Sequence, residues 1–191
     1  LDAQGAVKTK PTKNNTAYEL AAVYGGGNLA PYTTTGKNTH VVIHGCSDTS
    51  IETVYGGGNA AAVPETQVDV YSAYEIRALF GGGNGKDKFK NDEGWQTNPG
   101  ADVNGDTNTM IYGGTVHEAY GGSNEKGTIT GNVAIDVAGT NPDDCPLVVD
   151  KLVGAGKNAD VNGDMVMILR CKPSNKIPLL YAGADNANVK G

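Results

Sequence analysis

The stretch Ile76-Arg-Ala-Leu79-Phe80-Gly-Gly-Gly-Asn84 is one copy of a nine-residue motif that recurs along the whole chain. Each copy sets two apolar residues three positions apart, then an aromatic or apolar residue and a run of small residues. In the last two copies the asparagine comes one residue later. Six copies indicate a repeat protein, in which each unit buries its apolar side against its neighbours. The other copies begin at Leu20, Ile51, Val116, Val149 and Ile177.

A second element precedes most copies: a short β-branched stretch such as Thr66-Gln-Val-Asp-Val70, with polar and apolar residues in alternation. Such alternation predicts a strand with one buried face. The motif positions 24, 55, 80, 120, 153 and 181 lie 25 to 40 residues apart, which suits one coil of a solenoid. We predict an all-β fold, a right-handed single-stranded parallel β-helix (β-solenoid) of about six coils. A β-propeller or a β-prism is the alternative.

The 191 residues are predicted to form one domain. Residues 1–19 are expected to be an N-terminal cap or lead-in, residues 20–191 the coils, and residues 85–106 a long loop insertion. The chain begins Leu1-Asp2, with neither an initiator methionine nor a signal peptide, so we expect a processed or excised piece of a longer protein.

Composition narrows the classes of function. Glycine takes 28 of the 191 positions, about twice its usual share. The net charge of −6, without a basic stripe, argues against a nucleic-acid partner. No apolar run approaches the ~20 residues of a membrane span.

The glycine runs predict corners at which neighbouring coils approach closely, and we expect positive φ angles there because glycine adopts them without strain. The asparagines that follow are expected to stack as a ladder of side-chain amides. Phosphate binding is disfavoured because no Gly-Lys-Ser/Thr follows any glycine run. The predicted ladder comprises Asn28, Asn59, Asn84 and Asn124.

The aromatic residues are the candidate ligand contacts. Those of the motif would form a column, which either holds the coils in register from inside or binds sugar rings from the outer surface. The insertion adds Phe89 and Trp95, which either contact a ligand or fold back as a local cap. The aromatic positions of the motif are Tyr24, Tyr55, Phe80, Tyr120 and Tyr181.

The motif resembles the Val-Tyr-Gly-Gly-Gly-Asn repeats of large adhesin-like surface proteins from gut-dwelling anaerobic bacteria. The resemblance covers roughly residues 20 to 189. It implies a repeat architecture and an exported, cell-surface setting, and it carries no active site over to this chain.

Two acidic turns have the spacing of oxygen ligands for calcium. The same residues also suit ordinary turns, because neither copy has the glycine and glutamate of an EF-hand loop. No other cofactor is expected, and no metal site is assigned apart from these calcium candidates. They are Asp102, Asn104 and Asp106 in the first turn, and Asp160, Asn162 and Asp164 in the second.

The histidines and cysteines suggest little chemistry. His40 and His44 lie ~13 Å apart on a strand, too far to share one metal, and are predicted to face outward. His117 is predicted to be a variable surface position. A disulfide between Cys145 and Cys171 would join adjacent coils.

We therefore expect a non-enzymatic module of the extracellular space or bacterial cell surface, either an adhesin-like binding domain or a structural stalk, with carbohydrate as a ligand class. Its partners would be a glycan or a host surface protein, and neighbouring domains. A third hypothesis is that the coils stack end to end between chains or domains, so that this chain is a fragment of a longer solenoid. The alternative is a polysaccharide lyase or glycoside hydrolase, which needs converging carboxylates in a groove, or calcium with a basic residue. No catalytic residue is assigned.

Overall fold

The computed structural model describes residues 18–46, 48–85, 88–97, 100–138, 145–170 and 177–191, with the backbone alone at positions 88–91, 95 and 97. These segments contain thirteen β-strands and no helix. The described residues accordingly offer no helix with the length and apolarity needed to cross a membrane. The predicted all-β class is confirmed, while the predicted cap over 1–19 lies, apart from Tyr18 and Glu19, outside the described residues.

Each copy of the nine-residue motif contributes one strand to a six-stranded parallel sheet, and the strands follow one another across it in chain order. The copies lie in register, so that Ile51 pairs with Ile76 and Tyr55 with Phe80. The strands are β1 (Leu20–Tyr24), β3 (Ser50–Tyr55), β5 (Glu75–Phe80), β9 (Gly114–Tyr120), β11 (Leu147–Val153) and β13 (Leu179–Tyr181).

The alternating β-branched stretches form a second, five-stranded parallel sheet, again in chain order. A separate antiparallel hairpin, β6 (Lys88–Asn91) with β7 (Gly94–Thr97), lies within the predicted insertion over 85–106. The two parallel sheets do not agree with the β-propeller or β-prism alternatives, which are built from antiparallel sheets. The strands of the second sheet are β2 (Thr39–Ile43), β4 (Thr66–Val70), β8 (Thr107–Ile111), β10 (Val133–Val137) and β12 (Met165–Leu169).

A third line of parallel contacts runs beside the two sheets as isolated bridges between successive repeats. Its apolar side chains form a core cluster of their own, with Ala155 and Val133. The larger cluster fills the space between the sheets and includes both apolar positions of the motif, as Ile76 and Leu79 show. The bridges join Val63, Val103, Ile129, Val161 and Val189.

The glycine corners are required by close approach and not by unusual dihedral angles. The described glycines with positive φ include none of the motif glycines, so the expectation of positive φ there is wrong. A Cβ at Gly56 would meet the Gly81 carbonyl oxygen, and one at Gly81 would meet the Gly121 carbonyl oxygen. The Thr66 hydroxyl donates to this same Gly81 oxygen, at 2.6 Å. Each corner is therefore packed directly on the backbone of the next.

The predicted asparagine ladder is confirmed, with one direction throughout. Each amide nitrogen donates to the preceding oxygen: Asn59 to Asn28 at 2.7 Å, Asn84 to Asn59 at 2.8 Å and Asn124 to Asn84 at 2.9 Å. The ladder stops there, because the late asparagine of the fifth copy, Asn158, donates to Glu125 instead. The Asn124 side-chain oxygen is consequently buried without a hydrogen-bond partner.

One disulfide closes a long stretch of chain. Cys145 is bonded to Cys46, 99 positions away, with a Cα–Cα distance of 5.7 Å. The expected Cys145–Cys171 bridge is therefore wrong, and Cys171 lies outside the described residues. The expectation assumed that cysteines of adjacent coils pair with each other. In the structure, the turn after β2 meets the turn before β11.

Gly81→Ala is expected to lower the free energy of unfolding by about 3 kcal/mol, because the new Cβ would collide with backbone that cannot move aside. Gly183→Ala is the matched control, since a Cβ there meets nothing within 4 Å. Urea denaturation of both variants measures the difference. Equal stability of the two variants would contradict the close-packed corner.

Reduction of the Cys46–Cys145 bond is expected to lower the free energy of unfolding by about 2–4 kcal/mol, because the bond restricts a long loop in the unfolded chain. The urea midpoint with and without dithiothreitol measures the loss. A Cys171→Ser variant should show the same shift on reduction, whereas Cys46→Ser should show none.

Candidate functional site

The aromatic column predicted from the motif is present and largely buried. Tyr24, Tyr55, Phe80 and Tyr120 stack in parallel, with ring centroids 4.9, 5.2 and 4.8 Å apart. Tyr120 is fully buried and Phe80 is 2% exposed, because the rings are covered by one another within a separate apolar cluster. Val153 interrupts the column, and Tyr181 beyond it is 47% exposed. Ligand binding by these rings stays a prediction, and Tyr24 and Tyr181 are the members with exposed surface.

A polar network caps the buried end of this column. The Tyr120 hydroxyl donates to Glu118 at 2.8 Å and accepts from Lys151 at 3.1 Å. Lys151 also forms an ion pair with Asp185 at 2.7 Å. Burial raises the pKa of Tyr120 to about 12, so this phenol stays protonated at neutral pH. The network is structural, because it satisfies the one polar group of the innermost ring.

Phe89 and Trp95 lie on the two strands of the hairpin. In its backbone register Phe89 faces Gln96 and Trp95 faces Lys90. The side chains of Phe89 and Trp95 lie outside the described part of the chain. Their contact with a ligand stays a prediction.

The calcium candidates lie on turns whose polar groups bond to the next repeat. Asp102 Oδ1 accepts from the Thr128 backbone N–H at 2.8 Å, and Asp106 Oδ1 from the Asn132 N–H at 2.7 Å. Within the described segments, no three His, Cys, Asp or Glu residues are grouped to hold a metal. A turn role accounts for these contacts, and calcium stays a prediction. The remaining candidates also form hydrogen bonds to neighbouring repeats. The backbone N–H groups of Asn104, Asn162 and Asp164 donate, and the Asp160 carboxylate accepts.

His117 lies on the outer side of the six-stranded sheet, in a small charged cluster. Its Nδ1 is 2.7 Å from Asp150 Oδ2 and its Nε2 is 3.7 Å from Glu75 Oε2. The predicted surface position is therefore occupied by a histidine that joins neighbouring strands.

The strongest candidate site is the outward side of the five-stranded sheet, which we call the polar face. Its side chains stand in three columns, because parallel strands in register place equivalent residues side by side. His40 and His44 begin the first and third columns, so their predicted outward placement is confirmed. The columns are His40, Gln67, Asn108, Ala134 and Val166; then Val42, Asp69, Met110, Asp136 and Ile168; then His44, Tyr71, Tyr112, Ala138 and Arg170.

Two nearly buried carboxylates occupy the middle column. Asp69 Oδ2 lies 2.7 Å from His40 Nε2 and accepts from Gln67 Nε2 at 2.9 Å. Asp136 Oδ2 accepts from Arg170 Nε at 2.7 Å. The other oxygen of each carboxylate is buried without a hydrogen-bond partner. An unpaired buried acceptor of this kind costs on the order of 1–3 kcal/mol, so the two aspartates are poor choices for stability alone.

Aromatic rings flank the carboxylates in the third column. His44, Tyr71 and Tyr112 stack at 4.7 Å from ring to ring. Burial raises the pKa of Tyr112, and the negative charges of Asp69 and Asp136 raise it further. The phenol therefore stays protonated, and its hydroxyl contacts Met110 Sδ at 3.2 Å.

An open depression of about 220 Å³ lies in the polar face. It exists because Ala134 is short where the neighbouring strands carry Asn108 and Val166 in the same column. Gln67, Asn108 and Asp136 supply polar groups to its wall, and Met110 and Ile168 supply apolar ones. The lining surface is mostly apolar, so the depression suits the apolar side of a small molecule whose polar groups reach the wall.

The sequence reasoning missed Asp69, Asp136 and Arg170 as a group. Alignment of the alternating stretches by their buried valines would have shown their outward positions in common columns. The unpaired oxygens and the depression depend on side-chain packing, for which the sequence carries no signal.

Comparison with protein-family models, with curated proteins and with solved structures finds no match to this chain.

Acid is expected to weaken the turn that holds Asp160. The Asn188 backbone N–H and the Lys190 ammonium hold the pKa of this carboxyl below its ordinary value of 3.8. The ionised Asp160 carboxylate stabilises the folded chain fully above about pH 4, and this stabilisation is lost as the pH falls through the lowered pKa. Asp160→Asn should lower the urea midpoint at pH 7 and differ less from the parent at pH 2. Lys190→Met should show a smaller loss, because the Asn188 bond remains; a pH-independent Asp160→Asn effect would contradict this assignment.

Proposed function

We propose that this chain is a non-enzymatic, carbohydrate-binding module of a cell-surface protein, built as a right-handed single-stranded parallel β-helix of about six coils. Successive main strands alternate between two parallel sheets in the same chain order, and a third ladder runs beside them. One winding path through three sides of each coil accounts for all three ladders. The resemblance to adhesin-like Val-Tyr-Gly-Gly-Gly-Asn repeats supports the surface setting.

The disulfide supports an extracellular location. Bonds such as Cys46–Cys145 form and persist in oxidising compartments and are rare in the reducing cytosol. The bond joins loops of repeats that are not adjacent in the sheets, so it holds several repeats together.

The depression on the polar face is the observation that supports carbohydrate. A sugar ring offers hydroxyl donors around its edge and an apolar face. The unpaired oxygens of Asp69 and Asp136 would accept from those donors once Met110, which lies between them in register, moves aside. Methionine suits such a cover because its unbranched side chain repacks readily. Ile168 supplies apolar surface, and the Asn108 amide offers a donor and an acceptor.

A glycan-array screen followed by titration calorimetry on the best oligosaccharide tests this site. Ala134→Leu fills the depression without removing a polar group and should weaken binding by at least about tenfold, or ~1.4 kcal/mol. Asp136→Asn should weaken it similarly. Ala21→Leu, on an exposed position of β1, is the matched control and should bind as the parent does. The double variant Phe89→Ala/Trp95→Ala tests the hairpin prediction in the same assay. Binding that survives Ala134→Leu would exclude the polar face.

A glycoside hydrolase is the second candidate, supported by the carboxylate pair. One strand lies between Asp69 and Asp136, so their backbones are ~9.6 Å apart. This spacing is just above the ~6.5–9.5 Å that separates the two carboxyl groups of inverting glycosidases. New reducing ends formed from the bound oligosaccharide, and lost in both Asp69→Asn and Asp136→Asn, would replace the binding proposal with hydrolysis.

A further inference from the structure

Among the described residues, the exposed large apolar side chains are confined to the first and last repeats of the stack. Nine such residues are found among the described ones, and each lies on the first or last strand of a sheet or on the turn after β1. Among the described side chains, those of the interior repeats include none of this kind, because each interior repeat is covered by a repeat on both sides. Those residues are Leu20, Leu29, Tyr32 and Val42 at one end, and Val166, Leu169, Leu179, Leu180 and Tyr181 at the other.

The two edge strands of the six-stranded sheet, β1 and β13, carry residues at equivalent positions that can pair with each other. β1 is the first member of the ladder that β13 ends. A β1 strand placed next to β13 would set Val23 beside Leu180 and Tyr24 beside Tyr181. These are the pairings that Val54 and Tyr55 make with Leu79 and Phe80 within the chain.

The backbone hydrogen bonds of the corners extend in the same way. Gly25 N–H donates to the Tyr55 carbonyl, and Asn59 N–H donates to the Gly27 carbonyl. By the same pattern, Ala182 N–H would donate to Tyr24 of the added copy, whose Asn28 N–H would donate to the Ala184 carbonyl. The Asn28 amide would then lie over the Asp185 carboxylate, a charged acceptor in place of a ladder oxygen.

Neither edge strand carries the features that prevent edge pairing. Charges and proline on a strand edge block addition of another strand. β1 reads Leu-Ala-Ala-Val-Tyr and β13 reads Leu-Leu-Tyr, and Pro178 comes before β13 and not within it.

We propose that a second copy of this chain docks on the β13 end through its own β1 end, in head-to-tail order and in parallel register. Such an interface uses a different surface on each partner and does not close on itself. The association therefore continues from copy to copy as concentration rises.

Sedimentation velocity over a range of concentrations tests the proposal with end-blocked variants. Leu179→Lys/Leu180→Lys blocks one end and Leu20→Lys/Leu29→Lys blocks the other. Each blocked chain alone should be monomeric, whereas an equimolar mixture should form a dimer that grows no further, because each partner retains one free end. The parent should form a series of larger species.

Glu65→Lys is the matched control, because it changes the net charge by the same amount as two Leu→Lys substitutions. Glu65 is exposed on an interior repeat, so this variant should associate as the parent does. Circular dichroism checks that each variant is folded. A parent that stays monomeric at every concentration overturns the proposal, as does a blocked variant that dimerises alone, which would show like ends meeting.

Discussion

The structure depends on the approach of backbone to backbone at the glycine corners. A side chain as small as a methyl group at Gly56 or Gly81 would occupy the place of the next corner's carbonyl oxygen. Only with that space empty can repeats stack at the ~4.8 Å that strand pairing requires. The ladders, the stacked rings and the asparagine chain all depend on this spacing, because each links equivalent atoms of adjacent repeats.

Stacking at this distance converts a pattern along the chain into surfaces. Asp69 and Asp136 are far apart in sequence, yet one strand separates them in the sheet. The same effect buries the tyrosine column. Outward columns are free to vary without disturbing the core, so a binding site can be assembled there from several repeats. The polar face has this character: small, aromatic and charged residues replace one another along a column.

Much of the fold was predictable because it repeats. The strand positions of both sheets and the asparagine ladder follow from the motif and from the period-two stretches. The ladder also stops where the sequence indicates, since the late Asn158 is displaced by one position and donates to Glu125. By contrast, the φ angles of the motif glycines were wrongly expected to be positive. Close approach and positive φ both favour glycine, and the residue type alone does not distinguish them.

The sequence by itself determined the repeat, the β-rich class and the residues that face the interior, because these depend on local spacing and on which side chains avoid water. The tertiary structure alone decided the disulfide partner, the depth of the aromatic column and the carboxylate oxygens without partners. Each of these depends on which residues of distant repeats become neighbours. That outcome is set by how variable loops return the chain to the stack, and local spacing does not encode it.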